Sequence, residues 1–122
     1  MQAYLTRSFQ REAKNIDVSD DDCRKAVQKA ENGLIDAVLG AGLIKQRIPR
    51  GNQGAARGAR AVVFYKRGTL AIFLHMFAKS GKANLTKSEL AVYVDFAKEL
   101  DRLTDVQLQS LRDKQGWKEI EI

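Results

Sequence analysis

Apolar residues recur along this chain in two different rhythms. From Gly42 to Ile48 they alternate: Leu43, Lys45 and Arg47 share one face of an extended strand, and Ile44, Gln46 and Ile48 share the other. Pro49 ends that run or marks a sheet edge. Arg60–Lys66 (RAVVFYK) and Thr69–Ala78 (TLAIFLHMFA) are rich in β-branched and aromatic residues, and Gly68 between them suits a tight turn. Together the three segments predict an antiparallel meander. A shorter alternation at Gln2–Leu5 predicts a further strand, at a sheet edge.

Elsewhere the rhythm is helical. Arg7–Asn15 reads as a short helix. Cys23, Ala26, Val27 and Ala30 follow at helical spacing, opened by Ser19 with Asp22 three residues on and stopped by Gly33. Three aspartates in the first turn, Asp20–Asp22, suit the positive end of the helix dipole. Thr86 with Glu89 opens a helix whose apolar stripe is Leu90, Tyr93, Val94, Ala97 and Leu100. Thr104 with Gln107 signals a second start, so a break is expected near Leu103, and Gly116 can close the second helix. Strands and helices are segregated, which predicts an α+β fold of order β-α-α-β-β-β-α with a C-terminal helical extension. Residues 1–103 are expected to form the main domain and residues 104–122 the extension and tail. The last residues, WKEIEI, suit a terminal strand, a docking tail or a disordered end.

A chain of 122 residues is one domain's worth and long enough to bury a core. Its single cysteine, Cys23, cannot form an internal disulfide and falls on an apolar helix stripe, which suits a reducing, cytoplasmic setting and a core role. Neither a membrane-spanning run nor a secretory signal is visible. Charge changes the picture more than composition does. From Ala37 to Ser88, 52 residues carry ten Lys and Arg and no Asp or Glu; the other residues carry eleven basic and fifteen acidic side chains. A block of charge +10 is thus set against flanks of −4, summing to the net +6. Such asymmetry favours a polyanionic partner.

Within that block, the loop from Arg50 to Gly58 combines Arg50 and Arg57 with three glycines, Gly51, Gly54 and Gly58. Glycines let a backbone approach phosphate closely, and guanidinium forks match its oxygens. The loop is neither a Walker loop nor a dinucleotide fingerprint. By itself it could equally be a flexible connection. Lys45, Arg47 and Arg60 carry more. If the two strands pair, three cations converge at one end of a sheet, a costly arrangement that an anion would relieve. The lone histidine, His75, is expected on one face with Phe73 and Phe77 and reads as a packed, hydrogen-bonded residue. With one histidine and no calcium-loop spacing, no metal site and no cofactor are implied. Tyr93 and Phe96 read as helix packing; Trp117 could stack on a base or a partner.

Taken in order, VSDDD before a helix, GLIDAVLGAGLIKQR, GNQGAARGAR and FAKSGKANLTKSEL resemble the RelE-type toxins of bacterial toxin–antitoxin pairs, nearest the HigB-like branch of the RelE/ParE superfamily. The resemblance spans about Ala3 to Leu103. It implies a compact, antiparallel-rich four-stranded sheet flanked by helices, ribosome-dependent mRNA cleavage, and a cognate antitoxin, often a helix-turn-helix protein. By position it makes Lys45 and Arg47 the basic pair before the loop, Arg60 the arginine that opens the next strand, and Lys79 a basic residue at the end of the strand after that. These four are the candidate catalytic residues, with Arg50, Arg57 and Lys82 as candidate RNA-binding residues. Two departures stand out. Ala55 occupies the place of a loop lysine, with Arg57 two residues on, and no tyrosine matches near Leu85. A gyrase-inhibiting ParE-like toxin and a nonenzymatic nucleic-acid-binding or regulatory protein are the competing expectations.

Overall fold

A computed structural model of the protein describes residues 1–48, 58–78 and 85–122. Its elements run β1 (Gln2–Leu5), α1 (Arg7–Asn15), α2 (Asp20–Glu31), β2 (Ala37–Gly40), β3 (Leu43–Ile48), β4 (Ala59–Lys66), β5 (Leu70–Ala78), α3 (Lys87–Arg102), α4 (Asp105–Gln115) and β6 (Lys118–Ile120). The α+β class and the helix boundaries agree with the sequence pattern. Ser19 with Asp22, Thr86 with Glu89 and Thr104 with Gln107 all form reciprocal capping boxes. Leu103 is extended between α3 and α4, and Gly116 caps α4 in the left-handed conformation.

Among the described residues the sheet has six strands in the order β2-β3-β4-β5-β1-β6, two more than the expected four. The additional strands are short. β2 is four residues, alternately half-buried and exposed, that pair antiparallel with β3 across a turn in which Gly40, Ala41 and Gly42 all have positive φ (97°, 54° and 82°). A Cβ on Gly42 would lie 2.9 Å from the Phe64 ring, so both φ and space call for glycine there. β6 pairs antiparallel with β1. β1 itself runs parallel to β5 and lies between β5 and β6, so the expected edge strand is an internal one. The meander β3-β4-β5 is antiparallel as expected.

Helices cover both faces. On one, Phe9 and Ala13 of α1 and Cys23, Ala26, Val27 and Ala30 of α2 pack on Leu5, Ile44, Ile48, Ala61, Val63 and Phe73. On the other, Ala97 and Leu100 of α3 pack on Tyr4, Leu43, Phe64 and Ile72, with Trp117 at the margin, 6.3 Å from the Tyr4 ring. Burial pushes the Cys23 thiol up to about 12, so it is an inert core group.

Two polar pins fix the sheet against α2. Gln46, 1% exposed, donates to the carbonyls of Ala26 (3.1 Å) and Leu34 (3.0 Å) and accepts from the Asp36 amide (3.1 Å). That explains an amide between Ile44 and Ile48 on the buried face: every polar atom it brings inside is used. Glu31, at the C-terminus of α2, accepts from the Tyr65 hydroxyl and from the Gly68 amide (2.9 Å) at the β4–β5 turn. The Tyr65 bond foremost, then the Gly68 amide, hold the Glu31 carboxyl below the usual range. Burial, then the Glu31 bond, push Tyr65 up to about 12.

Gln46→Leu strands an amide and two carbonyls, and urea unfolding should show a loss of about 2–4 kcal/mol. For Glu31 the lowered folded-state pKa adds stability above its unfolded value, 4.5, that is lost as pH falls through the folded value. Tyr65→Phe removes the largest cause. Thermal melts at pH 7 and pH 3 should therefore show a smaller acid-induced drop in Tm for Tyr65→Phe than for the wild type.

Candidate functional site

The register of the meander arranges the α3 face of the sheet in rows. Leu43, Phe64 and Ile72 form the first row, all buried beneath α3. Lys45, Val62 and His75 form the second, and Arg47, Arg60 and Phe77 the third. From row to row the face changes from apolar to basic. Ala97 and Leu100 of α3 cover the apolar end, and the N-terminal half of the helix brings Tyr93 to the second row.

The expected convergence of Lys45, Arg47 and Arg60 is thereby present. Arg60 lies directly opposite Arg47, and Lys45 is its diagonal neighbour, opposite Val62. Directly opposed positions on paired strands have Cα atoms about 4.5–5.5 Å apart, close enough for like charges to repel. Arg47 is exposed; Arg60 is buried, with 8% of its surface accessible. Nη1 of Arg60 has no hydrogen-bond partner among the described residues. A buried guanidinium donor without an acceptor costs about 1–3 kcal/mol. Asp36, the last acid before the basic block, does not neutralise it. Its Oδ2 accepts from the Arg47 backbone amide (2.6 Å) and lies 3.9 Å from Lys29 Nζ. The arrangement is chemically incomplete in one direction: it offers donors and positive charge to an anion. Lys79, Arg50, Arg57 and Lys82 lie outside the described residues.

His75 is not where alternation from Phe73 would put it. β5 carries a bulge opposite Val62 and Val63: Val63 pairs with Phe73 and Val62 with His75, which leaves Leu74 as the extra residue. Phe73 therefore packs in the α1/α2 core, whereas Phe77 packs in the α3 core. This corrects the expectation that Phe73, His75 and Phe77 share a face. The histidine ring stacks on Tyr93 (centroids 5.6 Å, 28° between planes) and lies 5.6 Å from Phe77. Its Nδ1 is 3.3 Å from Glu12 Oε1 of α1. Burial foremost, with Glu12 and Glu89 nearby, raises Tyr93 above its usual range, so it stays a neutral phenol. His75 also lines an open cleft of about 360 Å³, together with Glu12, Asn15, Phe77 and Glu89. Nothing in the sequence pattern ties Glu12 to this place, because its link to His75 is made only by the packing of α1 on β5.

A family model described as the RelE toxin of the RelE / RelB toxin–antitoxin system matches residues 1–120. The chain belongs to the RelE toxin family. It is accordingly a toxin of a toxin–antitoxin system, and membership implies a cognate antitoxin as partner. A search of the curated proteins found no match to it. No helix among the described residues of this RelE-family toxin is long and apolar enough to cross a membrane.

If the basic row is an anion site, millimolar inorganic phosphate should raise the wild-type Tm by about 2–5 °C. Arg60→Met relieves the opposed charges and the orphaned donor. Its Tm without phosphate should match or exceed that of the wild type, and phosphate should shift it much less. Thermal melts with and without phosphate check both statements.

Proposed function

We propose that this toxin is a ribosome-dependent mRNA endoribonuclease that works without a metal. The observation that carries the reading is the opposed pair Arg47 and Arg60, with the unpartnered Nη1 of Arg60, on a sheet face whose neighbouring row holds Lys45. A phosphodiester supplies what that arrangement lacks, namely two negatively charged acceptor oxygens that a guanidinium can grip in bidentate fashion.

In the proposed reaction the RNA's own 2′-hydroxyl attacks the adjacent phosphorus. The 2′-O–P bond forms, the P–O5′ bond breaks, and the products are a 5′-hydroxyl and a 2′,3′-cyclic phosphate, or the 3′-phosphate that water makes from it. Such a step depends on alignment and on fixed positive charge where the phosphorane oxygens gain negative charge. Arg60 and Arg47 hold those oxygens. Lys45, across from Val62, assists proton transfer. The resemblance adds Lys79 to the catalytic set, and Arg50, Arg57 and Lys82 grip the backbone of the message or of ribosomal RNA. The basic face also suits the acidic segment of a cognate antitoxin, which we read as a helix-turn-helix protein.

The test is induced expression in a bacterial host, wild type beside Arg60→Ala, with mapping of mRNA 5′ ends. New 5′-hydroxyl ends inside translated messages, reduced about 10²–10³-fold in the variant, are the expected result. Arrest of growth without message cleavage would favour a gyrase-inhibiting toxin. Absence of arrest would favour a nonenzymatic nucleic-acid-binding protein.

A further inference from the structure

The row Lys45–Val62–His75 places an imidazole across a small apolar residue from the lysine. Two strand spacings separate the two positions, about 9–10 Å between backbones. Arg47 and Arg60 stand in the adjacent row. A phosphate gripped by those arginines therefore has Lys45 to one side and His75 to the other. A transesterification needs that layout, because one group removes a proton from the entering oxygen and another gives a proton to the leaving oxygen.

Three features make His75 more than a packed ring. The bulge at Leu74 turns it to the basic face, and without that extra residue alternation from Phe73 would bury it against α1 and α2. Its ring is held on Tyr93 and beside Phe77, and its Nδ1 meets the Glu12 carboxylate at 3.3 Å. A carboxylate at Nδ1 favours the tautomer with the proton on that nitrogen, which leaves the Nε2 lone pair for substrate. The side chain is 22% exposed and lines the 360 Å³ cleft with Glu12, Phe77 and Glu89, so the ring is open to solvent beside the row of Arg47, Arg60 and Phe77.

We infer that His75 is the general base of the cleavage reaction, a catalytic residue that takes the 2′-hydroxyl proton on Nε2, with Lys45 protonating the departing 5′-oxygen and Glu12 positioning the imidazole. This rests on the endoribonuclease reading. The proton from the 2′-oxygen goes to His75, the electron pair of the P–O5′ bond goes to the 5′-oxygen, and that oxygen takes its proton from Lys45. Hydrolysis of the cyclic phosphate is not required for turnover. The titratable and charged groups around His75 are Glu12 from α1, Glu89 and Tyr93 from α3, Arg60 from the adjoining strand β4, and Lys45 one strand further, on β3.

The experiment is single-turnover cleavage of message on programmed ribosomes by the purified full chain, measured across pH. His75→Gln should lower the rate by about 10²–10⁴-fold, leave ribosome binding unchanged, and abolish the fall in rate at acid pH expected of the wild type. Glu12→Gln should give a smaller loss. A message with sulfur in place of the bridging 5′-oxygen has a leaving group that needs no proton, so it should rescue Lys45→Ala and not His75→Gln. Because His75 is the chain's one histidine, carbethoxylation of the wild-type toxin before it meets ribosomes should inactivate it, and hydroxylamine should restore it. That measurement does not depend on a variant folding. Wild-type rate and pH profile in His75→Gln, or full activity after carbethoxylation, would overturn the assignment while leaving the endoribonuclease reading intact. Absence of cleavage by the wild type would overturn both.

Discussion

The register of β4 between β3 and β5 is the constraint on which the rest of the molecule depends. It decides which side chains of three strands stand in one row, and the rows decide where the core ends and the chemistry begins. Slipping β3 by one residue would exchange Leu43, Lys45 and Arg47 with Ile44, Gln46 and Ile48. Two charged side chains, Lys45 and Arg47, would then enter the α1/α2 core, and the amide that satisfies Ala26, Leu34 and Asp36 would leave it. Gln46 thus specifies register in a way an aliphatic residue could not, since only one alignment satisfies all of its hydrogen bonds.

Electrostatics and packing pull in opposite directions on the α3 face. The apolar row of Leu43, Phe64 and Ile72 is buried by α3 in the ordinary way. Two rows further on, Arg47 and Arg60 face each other, and one guanidinium nitrogen is buried without an acceptor among the described residues. No local rule of stability favours that pair. The fold tolerates it because stability is supplied elsewhere: a core on both faces, three reciprocal capping boxes, and the pins at Gln46 and Glu31. A site that is favourable only when an anion is present needs a scaffold that does not rely on it.

Much of this was legible in the sequence, and the illegible parts share a cause. Helix starts could be read because capping is local: Ser19, Thr86 and Thr104 bond within three residues of themselves. The meander could be read because its strands are long and its alternation regular. β2 could not, because four residues are too few to show a period, and β6 could be read only as one of several options for WKEIEI, because three residues depend on the strand they join. The internal place of β1 is a matter of long-range pairing with β5 and β6, which four residues do not encode. Convergence of Lys45, Arg47 and Arg60 followed from alternation plus one assumed pairing. The position of His75 did not, because a single bulged residue inverts every later inference from alternation.

That bulge is itself held by α1. An extra residue in β5 interrupts the ladder and leaves carbonyls to be satisfied. The Thr6 hydroxyl donates to the Phe73 carbonyl at 2.8 Å, and its amide donates to the same oxygen at 3.1 Å; the Ser8 hydroxyl reaches the Leu74 carbonyl at 3.5 Å. Thr6 is also the N-cap of α1, accepting from the Phe9 amide. Six residues further along the same helix, Glu12 meets the ring that the bulge has turned outward. One short helix therefore satisfies the irregular backbone and supplies the carboxylate beside the histidine. The two functions are linked by helix geometry, because a cap anchored at Phe73 fixes the axial position and rotation at which Glu12 stands. A change at Thr6 would consequently move the carboxylate and the bulge together, which is why the irregularity and the His75–Glu12 contact are best understood as one structural unit.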